Sequence, residues 1–266
     1  MAYSAADEAA IRARHADLVM RLNAQVERVI LLGQRARSAR ARRFLLNGVA
    51  RRIRMLRHCL TRVFEKFPPD RRTKVEQEDL WDVTVCLQAF VMHVAGILDN
   101  WAWALVEEQG VGTAIRREAI GLFKPTTQRH LARPVVEYLN SQPILRWNAD
   151  YQKNYRDALA HRIPLYIPPF ELTDVEAQRH QEIDAEIGRR VRAHEFDNLE
   201  ALYSEQDALG RPSFRFVHSF GEHDSDPPML LHPQMLADAA TIADICELLV
   251  REFPPEPRVG GEEPPA

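Results

Sequence analysis

Apolar residues recur at steps of three and four along nearly the whole chain, the period of amphipathic helices rather than of strands. Ile11, Leu18, Leu22, Val26 and Val29 form a first stripe, with Gly33 and Ser38 near its predicted end. A second runs through Phe44 or Leu45, Val49, Ile53, Leu56, Leu60, Val63 and Phe67, and Pro68-Pro69 stops it. Arg51, Arg52, Arg54, Arg57 and Arg62 fall on its flanks and opposite face. The third segment, from about Gln77 to Glu108, is the most apolar: Trp81, Val85, Phe90, Val94, Ile97, Trp101 and Leu105 predict a helix at the centre of a bundle, ended by Gly110-Val-Gly112.

Proline punctuates the second half. A helix is predicted from about Gln128 to Asn140, and Pro143 opens another that runs to about Arg162. Prolines 164, 168 and 169 then force an extended path, laid across the bundle surface. Thr173-Asp-Val-Glu176 is a capping-box pattern. It opens a long polar helix to about Leu209, with a thin stripe of Ile183, Ile187, Val191, Leu199 and Leu202. Ser213 to Phe220 alternates through Phe214, Phe216 and Phe220, the signature of one short strand or hairpin. A last helix spans about Pro233 to Glu252, and the Pro, Gly and Glu of residues 254–266 predict a disordered tail. The fold class is therefore all-α, a helical bundle with long connections, built as a single domain over residues 1–253.

Composition agrees: 45% hydrophobic and 27% charged residues in 266 exclude whole-chain disorder. The longest near-apolar run, Val85 to Leu98, carries Gln88 and His93 and falls short of the roughly 18 residues that a membrane span needs. The N-terminus opens acidic, without a signal-like apolar core, so a cytoplasmic protein with no membrane partner is expected. Cys59, Cys86 and Cys246 form no CxxC and read as reduced core residues. The net charge of −3 hides an asymmetry. Residues 11–74 carry a balance of +14 and the remainder −17, and only four of the 35 basic residues are Lys. Guanidinium holds phosphate oxygens by paired hydrogen bonds, so this Arg-rich part is either a phosphate-binding surface or a set of helix faces that pair with the acidic half.

Few familiar chemical motifs are present. Gly110-x-Gly112 ends a helix and is no phosphate loop, and neither HExxH nor GxSxG occurs. His218 and His223 lie near Asp224, but their spacing matches no metal-ligand pattern, so neither metal nor cofactor is expected. What stands out is Arg156-Asp157-Ala-Leu-Ala-His161, late in the helical part. Arg189-x4-His194 has the same spacing but lacks the acid, and about one such pair is expected by chance.

The Arg156–His161 segment resembles the signature of the HEPN (higher eukaryotes and prokaryotes nucleotide-binding) superfamily of helical domains, and the Ile-Pro-Leu-Tyr-Ile-Pro-Pro run behind it looks like a subgroup of uncharacterised bacterial members. The resemblance covers about residues 41–170. It implies a metal-independent endoribonuclease acting as a toxin or defence effector. It also implies a homodimer with motifs facing across a shared groove, and a neutralising antitoxin-type partner. The alternative is a non-catalytic HEPN-like module that binds nucleotide, RNA or protein.

The residue types suit RNA cleavage on their own chemistry. An imidazole such as His161 exchanges a proton near neutrality. The fixed fork of Arg156 stabilises charge on a phosphorane. Asp157, four residues before His161, is placed to orient that imidazole. Asn154 and Asp99 are outer candidates, and Arg51, Arg54 and Arg57 are candidates for holding the RNA backbone. Equally, Arg156 could pair with an acid of its own bundle while His161 and Arg162 cap the helix. Asp99-Asn100 interrupts the most apolar helix, where a carboxylate is costly unless paired. Its structural reading, fixing packing, stands beside the functional one, facing Arg156. His93 on the same helix reads as a satisfied core histidine.

Overall fold

The computed structural model describes residues 3–217 and 228–253. His218, Phe220, His223, Asp224 and the tail 254–266 lie outside the described residues. The all-α reading holds: the described residues form eleven α-helices, and the one sheet among them is a pair of two-residue strands.

Helix α1 (Ala5–Arg35) starts at a capping box, in which the Ser4 N–H and hydroxyl both donate to Asp7 and the Asp7 N–H donates back to Ser4 Oγ. Its predicted stripe is buried, and Gly33 lies inside the helix, where a side chain would collide with Leu46. Helix α2 (Ala39–Arg43), a π-turn (Phe44–Val49) and α3 (Ala50–Lys66) follow without a break, so the second stripe is one rod carrying one extra residue in a turn. The connection from α1 is tied by the buried carboxylate of Glu108, at the end of α4 (Gln77–Glu108). It accepts from the Arg37 and Ser38 N–H groups and from Arg37 Nε, each at 3.0 Å.

Antiparallel packing of α3 on α4 forms the heart of the bundle. Two glycines permit the close approach. A Cβ on Gly48 would strike Asn100, whose amide donates to the Gly96 carbonyl, and a Cβ on Gly96 would strike the Arg52 guanidinium. Phe90, Val94, Ile97, Trp101 and Leu105 are buried as expected. Trp81 and Val85 are not. They stand 62% and 64% exposed, because the first turns of α4 are covered on one side only. Over its richest 18-residue window α4 is apolar enough to cross a membrane, yet 44% of that window is buried inside the fold.

Between α4 and α8 the chain is less regular than predicted. The helix expected over 128–140 is only α6 (Arg133–Leu139), opened by Pro134, and the short α5 (Pro125–Gln128) ends where that helix was expected to begin. Helix α7 (Gln142–Arg146), a second π-turn (Trp147–Gln152) and α8 (Lys153–His161) form the rod that Pro143 opens. The proline-rich run after it is extended. Leu165 and Ile167 are buried, Tyr166 bridges Val217, and Gln88 Nε2 donates to the Leu165 carbonyl at 2.8 Å.

The predicted long polar helix is instead a hairpin of α9 (Asp174–Arg192) and α10 (Leu199–Ala208). His194 and Asn198 adopt left-handed backbone between them, and no residue of α10 is buried. Its thin stripe could not sustain a rod against a single neighbour. The alternation at 213–217 forms strand β1 (Arg215–Phe216), antiparallel to β2 (Met229–Leu230), with Phe214 and Phe216 both buried. Helix α11 (Leu231–Arg251) then packs against α1 and closes the bundle. At its start His232 is buried. Its Nε2 donates to the Phe67 carbonyl at 2.7 Å while Nδ1 accepts from the Tyr3 hydroxyl, so desolvation holds it neutral, down to about 4.

Candidate phosphate-binding pocket

The rod Gln142–His161 lies against α4, and its π-turn matters to what happens there. Trp147 and Gln152 of that turn are buried. Trp147 Nε1 donates to Asp238 of α11 at 2.8 Å, and Gln234 Nε2 adds a second bond at 2.9 Å. Burial pushes this carboxyl up to about 7 despite both bonds. The extra residue of the turn shifts the helical phase between Trp147, which anchors the rod, and the Arg156–His161 motif.

Beside that rod a pocket of about 470 Å³ opens. Helix α4 contributes Ala95, Leu98 and Asp99, and the rod contributes Asn148, Gln152, Lys153 and Arg156. Lys124 and Glu118 reach in from the irregular segment between α4 and α6. Three cations therefore meet two carboxylates and two amides around one cavity, whose remaining lining, from Leu98, Ile120, Leu122 and Phe123 among others, is apolar.

Arg156 is half-buried, and its Nε and NH2 donate to Asp157 Oδ1 at 3.0 and 2.7 Å. Asp157 is thus bound to Arg156, not to His161 as its spacing suggested. The side chain at 161 is exposed on the last residue of α8, makes no hydrogen bond or ion pair among the described residues, and does not line the pocket. The arginine and histidine of the motif do not share a cavity within one chain. The cause is helical phase, since five residues turn a helix by about 140°. Asn154 is spent on its own helix, its Nδ2 donating to the Asp150 carbonyl at 3.0 Å.

Asp99 does face Arg156. Its carboxyl opens to the pocket, and crowding by the protein raises it above the usual carboxylate range, partly offset by the charges of Arg156 and Arg52. His93, one and a half turns earlier, is not the satisfied core histidine expected. Its Nδ1 is buried without a hydrogen-bond partner, and burial together with Arg52 lowers its proton affinity. Arg52 was read from the sequence only as one basic flank residue. The signal that could have singled it out is Gly96, the one glycine within α4.

The basic stretch divides into two classes. Arg21 pairs with Asp244, Arg37 with Glu108, Arg40 with Glu107, Lys66 with Asp79 and Arg72 with Glu8. Arg51, Arg52 and Arg54, in the middle of the rod, have no ion pair among the described residues, and Arg57 meets only the neutral amide oxygen of Asn23. The described residues hold no cluster of three metal-ligating side chains. Comparisons with known protein families, curated proteins and solved structures find no match.

Proposed function

We propose that this chain is a HEPN-like RNA-binding protein whose pocket between α4 and α8 seats a backbone phosphate on Arg156, assisted by Lys124 and Lys153. The observation that carries this reading is the convergence of those three cations, with the Asn148 and Gln152 amides, on one pocket. Planar guanidinium is suited to phosphate oxygens, and the amides add neutral donors. The Asp157 carboxylate holds the Arg156 fork in place while leaving one of its terminal nitrogens for the ligand. Arg51, Arg54 and Arg57 continue the cationic surface along α3.

Metal-independent RNA cleavage is the second reading, favoured by the exposed, unbonded imidazole of His161. With its own Arg156 on another side of the helix, this histidine acts on a phosphate only when a second copy presents one, so cleavage goes with a homodimer.

The test is incubation of purified protein with single-stranded RNA in chelator. Arg156→Gln is expected to weaken binding about tenfold, as loss of a charge-assisted contact does. If cleavage occurs, Arg156→Gln and His161→Ala each abolish it, and mixing the two variants restores part of it. Wild-type affinity in Arg156→Gln removes the binding reading. Cleavage that survives His161→Ala removes the catalytic one.

A further inference from the structure

Asp99 has two guanidinium neighbours, and only one of them belongs to the pocket. At about 100° per residue, Asp99 lies between the row of Ala95, which lines the pocket, and the row of Gly96, which does not. Over Gly96 lies the Arg52 guanidinium, so close that a Cβ there would come within 2.4 Å of its Cζ and NH1. This side chain is half-buried and has no hydrogen bond or ion pair among the described residues, although nine other basic residues of its stretch have found acids. A long cationic side chain loses conformational freedom when held against a helix. Here it is held with its donors unspent.

We infer that Arg52 is a second phosphate-holding residue, seated by Gly96, and that a single-stranded RNA runs from the Arg156 pocket over Asp99 to Arg52 and on to Arg51 and Arg54. This rests on the RNA reading above and extends it by a residue and a path. Geometry favours a strand over a lone mononucleotide. The pocket holds Arg156 but not Arg52, so one small anion occupies one guanidinium, whereas a chain of phosphodiesters reaches both. Asp99 on the ridge between them is the specificity element. As a carboxylate it repels a phosphate placed directly over it, so the strand crosses there with a base or ribose, and each guanidinium takes a phosphate on its own side. A 2′-hydroxyl crossing at this point can donate to the carboxylate, which favours RNA over DNA.

The experiment measures binding of a short labelled single-stranded RNA by fluorescence anisotropy in chelator, with circular dichroism and thermal melting to verify folding. Arg52→Gln is expected to weaken binding about tenfold and to reduce the log–log salt slope by about 0.7. Gly96→Ala keeps every charge and pushes only the mobile end of Arg52 aside, and it is expected to weaken binding about fivefold. Asp99→Asn is expected to narrow the preference for RNA over DNA of the same sequence. Arg52→Lys, which keeps the charge but loses the fork, stands in should the Gln variant fail to fold, and it too binds more weakly. Loss in Arg156→Gln with wild-type binding in both Arg52 variants and in Gly96→Ala overturns the role of Arg52 and leaves the pocket standing. Loss in Arg52→Gln with none in a folded Gly96→Ala overturns the seating. No loss in either arginine variant overturns the RNA reading itself.

Discussion

Two ionisable side chains at residue scale, Asp238 and His232, sit in the same helix and respond to pH in opposite directions. Asp238 is pushed up to about 7 by burial, so the folded chain holds its proton more tightly than the unfolded chain, and its contribution to stability falls as pH rises from about 4 to 7. His232 is lowered to about 4, so the folded chain resists protonation, and its contribution rises between about 4 and 6.5. The two slopes oppose each other, and the wild-type melting temperature should be nearly flat across that window. Asp238→Asn removes one of them. Its melting temperature is expected to climb from pH 4 to 6.5 by at least about 2–4 °C, the shift that about 1 kcal/mol gives at this size. A flat profile in this variant would contradict the assignment. Neither group is legible in the sequence. What decides them, Trp147 Nε1 and the Phe67 carbonyl, lies 91 and 165 residues away in sequence.

At the scale of elements, the long apolar stripes were readable and the irregularities were not. The bounds of α4 follow from its hydrophobic content and the glycines behind it, and α1 and α3 follow from their stripes. The π-turns at Phe44–Val49 and Trp147–Gln152 leave no mark in a periodic pattern, because apolar steps of three and four continue on either side of the extra residue and only their phase changes across it. The motif parted for a different reason. Arg156, Asp157 and His161 all lie in α8, past the second turn, and the five residues between the arginine and the histidine set them about 140° apart on it. The 174–209 segment failed for another reason. A capping box specifies a beginning, and nothing in Ala193–Asn198 announces an end, since the left-handed residues there are His and Asn rather than Gly. Glu108→Ala leaves the Arg37 and Ser38 N–H groups and the Arg37 side chain without their acceptor, and should cost about 2–4 kcal/mol in urea unfolding. Glu78→Ala, in the exposed first turn of α4, should cost under about 0.5 kcal/mol.

For the whole molecule, the charge asymmetry was plain in the sequence, but its partition needed the fold. Much of the basic stretch is spent on the acidic half, through Arg21 with Asp244, Arg28 with Glu247, Arg40 with Glu107 and Lys66 with Asp79. Such pairs tie α1 and the α2–α3 rod to α4 and α11, and they leave a short row of cations over α3. RNA affinity should therefore fall with salt at a log–log slope of about −3 to −3.5, as four or five phosphate contacts give on a single strand. A slope steeper than about −8 would mean that the paired arginines open to take up RNA, and the division drawn here would fail.

The pairing of α1 with α11 also governs how the protein is born. Helix α1 leaves the ribosome with an apolar stripe that includes Leu18, Leu22 and Val29, and one of the helices that cover it, α11, lies some 200 residues downstream. At about 5–20 residues per second, that side of it waits roughly 10 to 40 seconds for cover. Nascent chains that stall before Leu231 expose a greasy flank, and they are the natural clients of a holding chaperone.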